Sequence, residues 1–186
     1  MVFIIEHLDP RVWKWSFLEY SHISSLVGKT RLWFTNVKRE GVRLKRLGLV
    51  FSESVTSMEL SKVCILDSTG AKTLSAADAK KFDYFVFGGV LGDVPEVDKS
   101  LEIIRRLPKA AVRNLGAKQM STDTAVLVAK RILGGEKMKD IPFIDSVELE
   151  VGKDESVILP YRYVLKQGKP VLAPGLAKKL LTQKGF

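Results

Sequence analysis

Residues Phe82 to Asp93 read FDYFVFGGVLGD: an apolar run, Tyr84 to Phe87, followed by Gly88, Gly89, Gly92 and Asp93. A short aromatic and β-branched run bounded by glycine is a buried strand, too short for a helix. Glycines at its carboxyl end let the backbone approach a ligand, because no Cβ stands in the way. In open α/β sheets ligands bind outside the carboxyl ends of strands. The same pattern also serves a tight turn after a core strand, and local sequence leaves both open.

The chain on either side alternates strand and helix signals. Val2 to Ile5 is a first buried strand, with Glu6, His7 and Asp9 at its carboxyl end. Asp9-Pro10 predicts a helix start, and Trp13, Phe17, Tyr20 and Ile23 give one face of a helix that Gly28 ends. Leu32 to Phe34 and Lys62 to Leu66 are further strands, and Ser75 to Asp78 has capping-box spacing. Pro95 opens a helix to about Leu107, and Ala110 to Val112 is a strand. The polar, glycine-bearing stretch Arg113 to Ala125 then leads into a helix capped by Ser121 or Thr122. Beyond Asp140 the pattern changes to antiparallel strands, Phe143 to Val151 and Val157 to Leu165. A hairpin turn, Lys166 to Lys169, and a last helix from Leu176 to about Gln183 follow. The expected fold is a doubly wound α/β domain whose pattern shifts near Asp140 to antiparallel strands.

Composition narrows the class. With 46% hydrophobic and 27% charged residues, 186 residues suffice for one domain with a sizeable core. The net charge of +9 points to polyanionic partners such as RNA or ribosomes. Lys38, Arg39, Arg43, Lys45 and Arg46 form the densest cationic cluster, a phosphate-binding patch or a solvated helix face; Lys178 and Lys179 lie on the last helix. One cysteine, Cys64 in an apolar run, forbids an internal disulfide, and two histidines are too few for a usual zinc site. No apolar run is long enough to span a bilayer. The start, MVFIIEHLDP, has no basic n-region, so a cytoplasmic protein is expected.

The common nucleotide and hydrolase motifs are missing: no GxxxxGK[ST], GxGxxG or GxSxG occurs. A nucleotide-like ligand held largely by backbone remains. The segments FDYFVFGGVLGD, RNLGAKQMSTDTA, FIDSVE and PYRYVL, with IIEH and LEYS near the start, occur in that order. Together they resemble the SPOUT methyltransferases, in the branch that includes a yeast ribosomal-protein arginine methyltransferase and archaeal predicted RNA methyltransferases. The stretch Val37 to Glu59 departs most from the family pattern.

The resemblance implies a Rossmann-like, mostly parallel α/β sheet with a C-terminal trefoil knot that grips S-adenosyl-L-methionine (SAM) and a small antiparallel C-terminal extension, in a single domain over 1–186. Residues 1–81 would be the Rossmann-like half, 82–135 the knot, and 136–186 the antiparallel extension. Carried over by position, Phe87, Gly88, Gly89, Leu91, Gly92 and Asp93 form one cofactor loop; Leu115, Gly116, Gln119, Met120, Thr122 and Thr124 form the next. Glu6 and Asp93 are the candidate catalytic carboxylates, since a guanidinium acceptor pairs with carboxylates. Arg43 and Arg46 are the candidate substrate-binding cations, and no metal is expected. The implied function is methyl transfer to a ribosomal-protein arginine or to RNA, by a monomer or a homodimer; a SAM- or RNA-binding module without turnover is the alternative.

Overall fold

The computed structural model describes residues 1–89, 99–150 and 156–182. The central sheet holds β1 (Val2–His7), β2 (Leu32–Thr35), β3 (Leu49–Val50), β4 (Val63–Leu66), β5 (Tyr84–Gly89) and β6 (Ala111–Arg113). Their order is β3-β2-β1-β5-β4-β6, and every pairing among them is parallel. The chain winds from β1 out to β3 and then builds on the other side of β1. Strands buried on both faces read as continuous apolar runs, which is why β4 and β5 have no polar alternation.

The helices are α1 (Lys14–Val27), α2 (Gly41–Leu44), α3 (Lys99–Arg106), α4 (Thr122–Leu133) and α5 (Leu176–Thr182). Phe3, Ile5, Phe85 and Phe87 share one cluster with Ile23 and Val27 of α1 and with Val126 and Ala129 of α4. Ile4, Ile65 and Val86 share the opposite cluster with Ile103 of α3. The sheet is therefore covered on both faces.

Helix α1 begins at Lys14, with extended Trp13 before it, rather than at Pro10 as predicted. The cause is the sheet: the Leu8 N–H donates to the Gly89 carbonyl, and Asn36 Nδ2 donates to the His7 carbonyl. Backbone through Leu8 is committed to strand pairing, so residues 9–13 serve as the turn into the helix. Gly28 ends α1 as expected, at φ +84°, its N–H donating to the Ser24 carbonyl. The Ser75–Asp78 capping box forms, but it opens a 3₁₀ turn over Ala76–Lys80.

The antiparallel region is more divided than its sequence pattern. The predicted strand 143–151 separates into β7 (Phe143–Ile144) and β8 (Val147–Glu150). The predicted strand 157–165 separates into β9 (Ser156–Leu159) and β10 (Tyr163–Lys166) around Pro160. β8 pairs with β9, while β10 pairs with β7 and with β11 (Lys169–Pro170). Gln167 and Gly168, at φ 52° and 74°, make the tight β10–β11 turn. Tyr161, Tyr163, Leu176 and Leu180 pack with Trp15 and Leu18, so this region covers a second side of α1. The implied knot depends on the course of residues 90–98, which lie outside the described residues.

Candidate active site

The register of β1 on β5 sets Glu6 beside Gly88 and His7 beside Gly89, at the carboxyl edge of the sheet. Gly88 is half-buried there. Phe87 is not at a ligand surface by its side chain: it is 2% exposed and stacked on Phe3, so only its backbone is left for a cofactor. The glycine at 89 also has a packing reason. A Cβ there would lie 2.5 Å from the Tyr20 hydroxyl and 2.7 Å from Ile5 Cγ2, so its smallness lets α1 pack on β5. Leu91, Gly92 and Asp93 lie outside the described residues.

The second loop follows β6 and is held at both ends. Asn114 Nδ2 donates to the Gly70 carbonyl at 2.6 Å, and Asn114 Oδ1 accepts from the Gly116 N–H at 3.0 Å. Gly116 has φ +92°, a conformation that favours glycine. At the far end the Arg162 N–H donates to the Gln119 carbonyl at 2.8 Å, and Met120 forms a parallel bridge with Arg162. Leu115 and Met120 are half-buried apolar side chains against the core. The base of the loop is fixed by Arg113, which pairs with Asp78 at 3.3 Å. Burial alone would raise the Asp78 carboxyl; hydrogen bonds from Ser75 and Arg113 pull it below the usual range instead.

Thr122 and Thr124, the other predicted members, are buried where α4 meets α1. Asp123 Oδ2 lies 2.7 Å from His22 Nδ1, and its Oδ1 accepts from Ser121 Oγ (2.7 Å) and the Thr124 N–H (2.9 Å). Ser121 Oγ also lies 2.8 Å from Thr124 Oγ1. Glu19, one turn before His22, accepts from the Trp15 indole N–H at 2.8 Å and from the Thr122 backbone. Burial raises its carboxyl well above the usual range, and neighbouring Asp123 pushes the same way. Burial, then Glu19 and Asp123, also raises the Tyr163 phenol, whose hydroxyl sits near Ser121 without a well-formed hydrogen bond. Sequence reasoning missed Glu19, His22 and Asp123. Their signal was Glu19 and His22 three apart on one helix face, with an acid in the first turn of α4.

Glu6 is 2% exposed. Its Oε2 accepts from Thr35 Oγ1 at 2.5 Å and from the Val55 N–H at 2.9 Å. His7 is equally buried, with Nδ1 2.9 Å from the Tyr20 hydroxyl. Burial lowers its ionisation, offset in part by Asp9, the Arg11 backbone, Glu40 and Glu6. Arg43 and Arg46 lie apart from both loops in sequence; each guanidinium stacks over Phe17 of α1. Among the described residues no group of His, Cys, Asp and Glu is arranged to hold a metal, and no helix is long and apolar enough to cross a membrane.

This architecture has known counterparts. A curated Saccharomyces cerevisiae relative, protein arginine N-methyltransferase SFM1, is 39% identical over 95% of this chain and 92% of its own length. The crystal structure of yeast SFM1 complexed with SAM superposes with a TM-score of 0.88 at 36% identity, covering 96% of this chain and 89% of that chain. Its complex with SAH gives the same TM-score and identity and covers 94% of that chain. A Trm10 from Thermococcus kodakaraensis, 16% identical over 75% of this chain and 96% of its own, reaches a TM-score of 0.58 and shares the fold alone. The SPOUT-type α/β fold implied by the resemblance is thus borne out. The SFM1-like protein arginine N-methyltransferase model matches residues 2–185, and the chain belongs to that family.

Proposed function

We propose that this chain is a SAM-dependent methyltransferase whose acceptor is an arginine of a ribosomal protein. The observation that carries it is the family match along residues 2–185, on a sheet that sets Glu6 beside the glycine end of β5. The loops fit the cofactor in kind. Gly88 and Gly116 leave backbone accessible, and Leu115 and Met120 offer apolar surface for the two faces of an adenine ring.

The bound cofactor supplies an electrophilic methyl on a sulfonium centre. What the chain must do is hold a guanidinium nitrogen in line and receive its proton as the N–C bond forms and the S–C bond breaks. Glu6 is the residue proposed to orient that guanidinium: among the described residues its hydrogen bonds fall on Oε2. Asp93 is the second carboxylate proposed, on its place at the end of the glycine loop in the sequence. A ribosomal acceptor accords with the net charge of +9, since a basic enzyme is drawn to ribosomal RNA around its substrate.

The test supplies methyl-labelled SAM with small-subunit ribosomal proteins in one reaction and with ribosomal and transfer RNA in another. Methylarginine should appear in the protein reaction alone. Label in RNA would overturn the acceptor; failure to bind SAM in calorimetry would overturn the enzyme.

A further inference from the structure

The face built on α2 and the first turn of α1 has no use in the site described above. Arg43 and Arg46 are exposed, and their guanidinium carbons lie 4.6 and 4.8 Å from the centroid of the same Phe17 ring. Stacking on an aromatic face fixes a guanidinium plane and leaves its N–H edges to bind something else. The support beneath is rigid: Leu44 is 0% exposed, and Ser24 Oγ donates to the Leu47 carbonyl, which ties the segment to α1. Lys38 to Arg46 carries five cations against one acid, Glu40. Among the described residues, Arg39, Arg43, Lys45 and Arg46 form no ion pair. Lys14, at the start of α1, lies close enough to Lys179 of α5 to depress that ammonium further than burial alone does. Like charges are thus gathered at α2 and at the start of α1.

A surface of this sign repels an arginine-bearing peptide, so it is not where the methyl acceptor enters. Its partner is an anion. The surface also lacks the apolar core of a protein–protein interface: Val42, 79% exposed, is the one large apolar side chain exposed between Lys38 and Arg46. A membrane-binding helix needs a broad apolar face, and α2 has four residues. Polar, strongly cationic contact surfaces are those of nucleic-acid binders.

We propose that this face, with Arg43 and Arg46 held over Phe17, is an RNA-docking surface that grips the phosphate backbone of RNA carried by the arginine-bearing substrate. The source of that RNA rests on the proposed ribosomal acceptor; the binding itself does not. The test is fluorescence anisotropy of a labelled RNA hairpin with the full chain, without SAM or acceptor, across a salt series. Log affinity should fall linearly with log salt. R43E/R46E should weaken binding by about tenfold or more and lower the salt slope by about one for each phosphate no longer neutralised. K166E/K169E, the same charge change on the exposed β10–β11 hairpin, should stay within about twofold of the parent. Calorimetric SAM affinity should be the same in both. Equal losses in the two variants would reduce the effect to net charge and overturn the site. Tighter binding of polyglutamate or of phosphatidylserine vesicles, lost in the same R43E/R46E variant, would give the face to an acidic protein or a membrane instead. Loss of arginine methylation with RNA binding intact would strike the proposed enzyme and leave this surface standing.

Discussion

Gly89 has a packing reason that local sequence does not carry. Its place at the end of β5 was legible, because glycine after an aromatic run marks a strand end. Its packing role was not, because the atoms that require it belong to Tyr20, sixty-nine positions earlier, and to Ile5. A methyl added at 89 would meet the Tyr20 hydroxyl at 2.5 Å and disturb the Tyr20–His7 hydrogen bond. Gly89→Ala should therefore lower stability by about 1–3 kcal/mol, the usual cost of overpacking. Urea denaturation reads it, and a variant as stable as the parent would mean that α1 shifts freely. Cys64 is the simpler case. It is buried in β4, and burial pushes its thiol up to about 12. Iodoacetamide at pH 8 should leave it unmodified in the native protein, with labelling only at the rate of unfolding. Rapid labelling would place the thiol at the surface.

At the scale of elements, the contact of α1 with the N-terminus of α4 governs the second loop. Helix α4 starts with buried Ser121, Thr122, Asp123 and Thr124, and its first N–H groups are met by carboxylates rather than water. Cap chemistry made that start legible at Ser121 and Thr122; the partners on α1 were not, since they lie a hundred residues away. Glu19 carries the pH consequence. Its folded-state pKa is raised, so its contribution is fully present below the unfolded carboxyl value, about 4.3, and is lost as pH climbs through the folded value. The groups that face it are Trp15, Asp123, Asp9 and the Thr122 backbone, with His22 beyond Asp123. Glu19→Gln keeps the acceptor for the Trp15 N–H and cannot ionise. The difference in melting temperature between variant and parent should shift toward the variant from pH 5 to pH 9. A difference constant over that range would show that Glu19 ionises in the folded chain as it does in water.

For the whole molecule, the parallel sheet was legible because its strands carry their own period and punctuation. The divided C-terminal strands were less so: apolar alternation runs on through 143–150, and only the tertiary pairing sends β7 to β10 and β8 to β9. That pairing matters to the site, because Arg162, between β9 and β10, holds the Gln119 carbonyl and pairs with Asp145 at 2.7 Å. The loop at 114–121 is thereby stitched to residues 70–74 and to the segment before β10, and through Ser121 and Asp123 to α1, three separated parts of the chain. A ligand that binds only the folded loop stabilises every part whose opening would release it. At a hundredfold excess over its dissociation constant, SAM should add about 2.7 kcal/mol, which for a chain of this length is about 5–10 °C in melting temperature. Amide exchange on SAM binding should slow in 114–124 and also at 70–74, at 162–164 and around His22. Protection confined to 114–121 would show that the loop moves independently of its three anchors. Protection absent there but present at residues 84–89 would transfer the cofactor to the first loop alone.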